Sequence, residues 1–506
     1  MNIRSLLAGL LTLSLLLGGC AAEVSKTDAP AAPAGAQDDA AAPEPASPDA
    51  QPDAAAYAMP YSASDGWDPY SCRSSENRAL FSLLYEGLFE VTPEFDFSGV
   101  LCSAYSVSDD EKTWTFTVDP AARFSDGTPV SASAVAAAYD AARASDLYKS
   151  RFSHILSYEA TDTRTLTVTL DAAHGSLPLL LDIPVVKTSA GRAVGSGPYV
   201  LRGQTLTASA SWWAGGDPPL GGADIALVAA ESESDVRDAF ELRQITLVST
   251  DPTAGSACVY HSDYELWTSP TSVMVYLGFN RSGVFSDAAL RAAVTQLVDR
   301  ERIVTEDFSG FAVPASLPAS PIAAQYDRGL AAQYAYDPGA FSASVPDEEI
   351  TLLVSSGDPC RVAAAKRIAQ EMERAGFTVA VSPLAPADYQ SALENGAYDC
   401  YLGEIRLTAD FDLAAFFSPT GAAAYGIGGA EAALVRNAKM LENAGNAYDL
   451  HKLVMDDGLL CPVLFKSGAI YTVRGLVPAG LTAAPYNLFY RAAQVPDEPE
   501  SPAEPE

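Results

Sequence analysis

One short segment, Gly403 to Phe417, holds the side chains best suited to bind a charged solute. Asp410 offers a carboxylate that attracts an ammonium group, and Arg406 offers a guanidinium group that can bind a carboxylate through two hydrogen bonds. Each has an ordinary alternative, because many protein acids are solvated or cap helices and many arginines form surface ion pairs. The segment therefore indicates non-covalent binding of a small charged molecule.

No motif for covalent chemistry accompanies this segment. The sequence lacks a GxSxG nucleophile motif, an HExxH zinc motif and a phosphate-binding loop. Its four histidines have no spacing typical of metal ligands, and they are His154, His174, His261 and His451. A metal at His174 is a minor alternative, and a cysteine nucleophile with a distant histidine partner stays open. We expect no enzymatic activity, no cofactor and no bound metal.

Alternating strands and helices lead into the segment. The predicted order is strand, helix, strand, helix, strand, at Ile350–Val354, Pro359–Ala375, Phe377–Val381, Pro386–Glu394 and Tyr398–Leu402. Such a βαβαβ order produces a parallel sheet with helices on its faces, so the fold class is α/β. Ligands of these sheets bind beyond the carboxyl ends of the strands, which is where Gly403 to Phe417 begins.

The first half of the chain mixes strands with helices. Leucines at helical spacing predict a helix from Glu76 to Phe89, and Ser131 is placed to cap another helix. Trp114 to Val118 and Thr165 to Leu170 alternate between apolar and polar residues, which predicts strands. Near the C-terminus, Val463 to Tyr471 is also a predicted strand. No internal repeat is evident.

The N-terminus is typical of an exported lipoprotein. Leu6 to Leu17 is apolar but too short to span a bilayer, which needs roughly 20 residues. It leads into Leu17-Gly18-Gly19-Cys20, which resembles a bacterial lipobox. We therefore expect residues 1–19 to be a signal peptide and Cys20 to carry lipid, which anchors the protein to the cell membrane on its extracytoplasmic side. An ordinary secretory signal that happens to contain a cysteine is the alternative.

Two terminal segments have the composition of disordered chain. Residues 20–56 and 494–506 are rich in proline and acidic residues and contain no aromatic residue. An alanine-rich helix is the alternative for residues 20–56, although the repeated prolines argue against it. We expect a semi-stiff tether and an acidic tail.

Composition limits the partners of the remaining body. Its length of about 435 residues is enough for two or three hydrophobic cores. The chain has a net charge of −33, most of it between residues 57 and 493, which excludes nucleic acid and anionic lipid headgroups as binding partners. Six cysteines besides Cys20 permit disulfides in an exported protein, and buried free thiols are equally compatible with the sequence.

Five short motifs occur in an order that resembles solute-binding protein family 5, the peptide- and nickel-type substrate-binding proteins of ABC importers. They are Tyr85-Glu86-Gly87-Leu88, Trp114-Thr115-Phe116, Phe124-Ser125-Asp126-Gly127-Thr128-Pro129, Gly195-Ser196-Gly197-Pro198-Tyr199, and Arg291-Ala292-Ala293 through Asp299-Arg300-Glu301. The resemblance implies a two-lobed fold of the periplasmic-binding-protein type II (Venus flytrap) kind, with an extra subdomain in the first lobe.

The resemblance also implies domain boundaries. The first lobe would comprise residues 57–277, with residues 463–493 returning to it, and the second lobe residues 278–462. Two strands would cross between the lobes as a hinge, near Tyr276–Phe279 and near Leu464–Lys466.

Residue roles follow from the same resemblance. Asp410 matches the family aspartate that receives the α-ammonium group of a peptide. The chain departs from the common pattern, because Leu407 stands where a tryptophan is usual and Asp412 is followed by leucine rather than proline. Tyr425 and Trp67 would supply stacking or backbone hydrogen bonds, and ordinary core packing is their alternative.

We therefore expect a monomeric extracytoplasmic lipoprotein that captures short peptides by hinge closure and delivers them to ABC permease subunits. Another solute, such as a nickel chelate or an oligosaccharide, is the first alternative. An extracytoplasmic hydrolase such as a peptidase is the second, and a degenerate copy kept as a surface or signalling protein is the third.

Overall fold

A computed structural model describes residues 57–254, 260–428, 430–442, 446–478 and 481–490. The predicted signal peptide, Cys20, the tether of residues 20–56 and the acidic tail of residues 494–506 lie outside these residues. Cys258 also lies outside them, so nothing structural is said of it.

The described residues form 21 strands. They are β1 Tyr57–Tyr61, β2 Phe89–Val91, β3 Phe97–Gly99, β4 Cys102–Val107, β5 Thr113–Val118, β6 Ile155–Ala160, β7 Thr165–Leu170, β8 Lys187–Ser189, β9 Arg192–Val194, β10 Tyr199–Arg202, β11 Thr205–Ala208, β12 Ile225–Ala229, β13 Leu247–Thr250, β14 Tyr264–Phe279, β15 Ala312–Pro314, β16 Glu349–Ser355, β17 Thr378–Leu384, β18 Cys400–Arg406, β19 Leu460–Val473, β20 Thr482–Ala484 and β21 Asn487–Tyr490.

Twelve α-helices occur in the same described ranges. They are α1 Ser75–Ala79, α2 Phe81–Leu84, α3 Ala132–Ala144, α4 Glu233–Glu241, α5 Ala288–Thr295, α6 Arg300–Arg302, α7 Arg328–Gln333, α8 Pro359–Arg374, α9 Pro386–Glu394, α10 Ala414–Phe417, α11 Glu431–Glu442 and α12 Asn446–Asp456. Among these helices, none has the length and hydrophobicity needed to cross a bilayer.

Three larger sheets organise the chain. A seven-stranded mixed sheet has the order β13-β19-β14-β18-β16-β17, with β15 beside β19. Two four-stranded sheets, β1-β12-β11-β10 and β4-β5-β7-β6, come from the first half of the chain. In the seven-stranded sheet β16 runs parallel to both β17 and β18, which confirms the βαβαβ unit predicted from the sequence.

Two long antiparallel strands, β14 and β19, run through the seven-stranded sheet. The first part of β14 pairs with β19 alone, whereas Val273 to Phe279 lies between β18 and β19. The register shifts between Pro270 and Met274, where a proline cannot donate a ladder hydrogen bond. The residues expected to form the hinge, near Tyr276–Phe279 and Leu464–Lys466, lie within these two strands.

The two faces of the seven-stranded sheet carry separate hydrophobic clusters. Because side chains alternate along a strand, Cys400 and Leu402 of β18 pack on the face covered by α8. Tyr401 and Leu407 pack on the opposite face with Tyr389 of α9. The end of β18 therefore divides its side chains between two environments, and this division determines the site described below.

The prediction of one helix from Glu76 to Phe89 is wrong. The structure has the two short helices α1 and α2 instead, and Tyr85 is already extended. Leu88 is buried, but its carbonyl accepts hydrogen bonds from the main chain of Val100 and Cys102. Pairing with the next segment therefore replaces helix at the end of this pattern.

Other local predictions are confirmed. Ser131 caps α3 by accepting a hydrogen bond from the main-chain nitrogen of Ala134, at 3.2 Å. The sequence left open whether the cysteines form disulfides or stay free. The cysteines that the structure describes are free thiols, namely Cys72, Cys102, Cys360, Cys400 and Cys461.

Candidate functional site

The segment after β18 folds into a tight turn. The main-chain nitrogen of Phe411 donates to the carbonyl of Thr408 at 3.0 Å, and Phe411 has a positive φ of 55°. A left-handed conformation costs a non-glycine residue about 1 kcal/mol or more. Packing offsets this strain, because the fully buried ring of Phe411 lies 4.9 Å from that of Phe95 and 5.8 Å from that of Phe465.

The turn directs Asp410 into the interior. Its side chain is only 2% exposed, so Asp410 is not a solvated loop acid. One carboxylate oxygen accepts a hydrogen bond from the main-chain nitrogen of Asp412 at 3.3 Å. The other lies 3.1 Å from Nε2 of His174, which is itself 1% exposed.

The hydrogen bonds of His174 identify its protonated nitrogen. The main-chain N–H of Ser176 donates to Nδ1 of His174 at 3.2 Å, so Nδ1 is an acceptor. The ring proton therefore lies on Nε2 and points to Asp410. In this arrangement the Nε2–H of His174 donates to the carboxylate of Asp410.

A second histidine and aspartate form a similar pair beside the first. Nε2 of His154 lies 3.7 Å from Asp412, and the rings of His154 and His174 are 6.1 Å apart. The carboxylate of Asp412 raises the pKa of His154 to about 8, with a smaller contribution from Asp171. Burial raises the pKa of Asp412, but its hydrogen bonds outweigh burial and the net pKa is lowered.

An arginine completes the charged cluster. Arg151 forms an ion pair with Asp182, and its guanidinium lies 5.3 Å from the ring centre of Tyr148 and 5.5 Å from that of Tyr486. The hydroxyl of Tyr486 donates to the carbonyl of Leu407 at 3.1 Å, which joins Arg151 to the turn that carries Asp410. Burial lowers the pKa of Arg151.

Arg406 is not hydrogen-bonded to this cluster, although its positive charge acts on the buried hydroxyl of Tyr486. It is the last residue of β18, shares a strand face with Glu404 and is exposed. Within the described ranges its guanidinium group has no hydrogen bond and no ion pair. Its neighbour Glu404 accepts from the buried Lys466 at 3.2 Å, and Lys466 also pairs with Asp251 at 2.6 Å.

Tyr425 and Trp67, the two aromatic residues predicted to bind the solute, contact other residues than Asp410. The hydroxyl of Tyr425 accepts a hydrogen bond from Gln390 at 2.7 Å. The ring of Trp67 stacks on Tyr61 with centres 6.0 Å apart, in the region of β1. No hydrogen bond, ion pair or ring contact between described residues joins Asp410 to Arg406, Tyr425 or Trp67. Cys20, the expected lipid attachment site, lies outside the described residues.

Sequence reasoning missed the residues that do surround Asp410. His174 is 236 positions away, and its motif-free loop gave no signal of a carboxylate partner. The spacing of Asp410 and Asp412 was visible, but nothing in the sequence connected either acid to a histidine. In the part of the chain that is described, no group of three or more potential ligands is arranged to hold a metal ion.

Comparison with solved structures identifies the fold. NikA from Brucella suis in complex with Fe(III)-EDTA is 17% identical with a TM-score of 0.64, covering 85% of this chain and 98% of NikA. The murein tripeptide binding protein MppA, in its unliganded open form, is 15% identical with a TM-score of 0.68, covering 86% and 95%. The fold is therefore that of a two-lobed periplasmic binding protein.

The family follows from the sequence. The model of the bacterial extracellular solute-binding proteins, family 5, matches residues 96–425, and the chain belongs to this family. It is a family of binding proteins and not of enzymes.

Curated relatives match only in part. The glutathione-binding protein GsiB of Salmonella typhi is 26% identical over 273 residues, and that of Escherichia coli strain K12 is 28% identical over 286 residues. Each match covers 49% of this chain and 53% of the relative. The chain therefore spans about half the length of the curated relatives it matches.

Proposed function

We propose that this protein captures short peptides outside the cytoplasm and that Asp410 binds their ammonium group. The observation that carries the proposal is a carboxylate, 2% exposed, just beyond the carboxyl end of β18, one of the three parallel strands of the sheet. In such a site the effective dielectric is low, so an ion pair with an ammonium group is stronger than in water. Peptide-type names among the relatives and neighbours support the same class of solute.

The surrounding charges favour a cation at this position. Asp410, Asp412, Asp182 and Asp171 contribute four carboxylates, whereas Arg151 and His154 contribute at most two positive charges. A bound ammonium group would offset part of the remaining negative charge. At the other end of a peptide, the exposed guanidinium of Arg406 would bind the carboxylate.

The remaining parts of the proposal concern the whole molecule. We infer lobes at residues 57–277 with 463–493, and at residues 278–462, which close on the solute by bending of β14 and β19. The protein would be monomeric, anchored through lipid on Cys20, and would deliver its solute to ABC permease subunits. Tyr425 and Trp67 would line the solute cleft.

Calorimetric titration with a peptide pool tests the role of Asp410. The expected result is a loss of affinity of at least tenfold in Asp410→Asn, because hydrogen bonds to a charged group contribute roughly 1.5–3 kcal/mol. Asp388→Asn is the matched control, since Asp388 is an exposed acid of α9 in the same lobe. Equal peptide affinity in all three proteins would remove the assigned role from Asp410.

Native mass spectrometry of gently purified protein tests the class of solute independently. A co-purified solute would be identified by its mass, and a peptide mass is expected. A reproducible non-peptide mass, such as that of a metal chelate or an oligosaccharide, would replace the peptide in this proposal.

A further inference from the structure

A side chain of the protein already binds Asp410. The Nε2–H of His174 donates to its carboxylate at 3.1 Å, and both side chains are more than nine-tenths buried. The proton is directed to Asp410 by the hydrogen bond that His174 accepts from the main chain of Ser176. A donor of the protein thus occupies the position that the proposed function gives to the ammonium group of a solute.

The two partners come from different parts of the fold. His174 follows β7 of a four-stranded sheet, whereas Asp410 follows β18 of the seven-stranded sheet. Other contacts join the same two parts nearby. The main-chain nitrogen of Gly175 donates to the carbonyl of Leu441 at 2.7 Å, and the rings of Phe95 and Phe411 pack at 4.9 Å.

We propose that His174 competes with the solute for the carboxylate of Asp410. The hydrogen bond between His174 and Asp410 holds the two lobes together, and the need to break it determines which solutes can bind. This inference rests on the proposed function, because it assumes that solutes bind to Asp410. A solute can bind the carboxylate of Asp410 only if the hydrogen bond from His174 to that carboxylate is broken. His174 is in this sense a specificity-determining residue.

The competition selects for a cationic group. A hydroxyl or amide that displaces His174 exchanges one uncharged donor for another, and so gains little. An ammonium group exchanges an uncharged donor for a positively charged one, so the hydrogen bond to the carboxylate becomes an ion pair in a site of low effective dielectric. With His174 present, a peptide with a free N-terminus should therefore bind much better than its acetylated form.

Two substitutions test the inference on the full-length protein. His174→Ala removes the donor, and His174→Gln keeps an N–H group that can reach the carboxylate. His261→Ala is the control, because His261 is an exposed histidine outside this cluster. Lobe separation is measured in the absence of added solute, as the distance between spin labels placed on the two lobes. Affinity is measured for one peptide with a free and with an acetylated N-terminus.

The expected result has two parts. His174→Ala should lower the ratio of closed to open protein about tenfold, which is the contribution of one hydrogen bond to a charged group, and His174→Gln should restore part of it. The ratio of the affinities for the free and the acetylated peptide should be smaller in His174→Ala than in the wild type. An unchanged closed fraction in His174→Ala, with thermal unfolding showing a folded protein, would overturn the inference.

The measurements separate this inference from the proposed function. A closed fraction that falls in His174→Ala, together with no peptide binding to any variant, would support the role of His174 in closure and would refute peptide capture. Peptide binding that depends on Asp410 but not on His174, with an unchanged preference for the free N-terminus, would leave the proposed function intact and remove His174 as a competitor.

Discussion

Two regions of this molecule bury charged side chains in opposite ways. Arg291 and Arg300, in the motif around α5 and α6, are 1% and 4% exposed, and their guanidinium groups bind main-chain carbonyls. Asp410 and Asp412, after β18, instead face the side chains of His174 and His154 from a distant part of the chain.

The difference separates charges that stabilise the fold of one lobe from charges whose partners can separate when the lobes open. Carbonyls of the fixed main chain cannot move away from Arg291 or Arg300 unless the surrounding lobe unfolds. In the proposed hinge motion, a side chain of one lobe leaves a side chain of the other while both lobes stay folded, because only the contacts between the lobes change. We therefore expect substitutions in the first region to change the free energy of unfolding and substitutions in the second to change closure and binding.

The largest expected effect is on stability, from Arg300→Met. The Arg300 guanidinium donates to five carbonyl oxygens, those of Thr295, Val298, Ala315, Tyr334 and Pro462. Removing it leaves buried acceptors unsatisfied, at about 1–3 kcal/mol for each group that water cannot reach. We expect the free energy of unfolding to fall by about 4 kcal/mol, measured by urea denaturation.

A nearby arginine provides the control. Arg302 is two residues away, and its side chain is 44% exposed and pairs with Glu306 at 2.9 Å. Exposed ion pairs contribute roughly 0–1 kcal/mol, so Arg302→Ala should change the free energy of unfolding by less than about 1 kcal/mol. Similar losses in the two variants would contradict the structural role assigned to Arg300.

The next effect is a pH dependence of stability that comes from a buried histidine. His451 of α12 is fully buried, and neither ring nitrogen has a hydrogen-bond partner among the described residues. Burial lowers the pKa of His451 to about 4, with Asp327 opposing the shift. The unfolded chain binds this proton near pH 6.5, so between about pH 6.5 and pH 4 the unfolded state binds more protons than the folded state.

Stability should therefore decrease as the pH falls through this range. The expected contribution of His451 is about 3 kcal/mol, fully lost below pH 4. Because carboxylates also titrate at low pH, the measurement compares wild type with His451→Leu by urea denaturation at pH 7 and pH 4. The variant should lose about 3 kcal/mol less than the wild type, and parallel losses would contradict the assignment.

Local sequence patterns predicted the parts of the fold that depend on neighbours in the chain. The strands and helices from β16 to β18 follow their predicted order, because alternation and helical spacing are properties of short segments. The helix predicted from Glu76 to Phe89 failed because Leu88 pairs with a later segment. The position of Asp410 beyond a strand was likewise visible in the sequence.

The partners of Asp410 could not be predicted in the same way. His174 meets it across 236 residues, and only the tertiary fold brings them together. Arg406 was chosen for its nearness in sequence to Asp410. It is exposed at the end of β18 and, among the described residues, forms no hydrogen bond or ion pair with Asp410. Distance in sequence therefore concealed the contact with His174, and the role of Arg406 stays a prediction.

The smallest expected effect is a pH dependence of closure that comes from His154. Its pKa of about 8 in this structure arises chiefly from Asp412, which the proposed boundaries place in the other lobe, whereas they place Asp171 and His174 in the same lobe as His154. On opening, only the contribution of Asp412 is lost. A raised pKa in the closed state means that closure is favoured below about pH 6.5 and that this advantage disappears as the pH rises through 8.

The magnitude should be modest, because the His154 side chain is 25% exposed and lies 3.7 Å from Asp412. We expect about 1 kcal/mol, a several-fold decrease in the ratio of closed to open protein between pH 6 and pH 9. Spin-label distances at the two pH values measure it, with His154→Gln as the comparison. If His154→Gln shows the same pH dependence as the wild type, another group is responsible, and the pair His154–Asp412 would belong with the structural charges of Arg291 and Arg300.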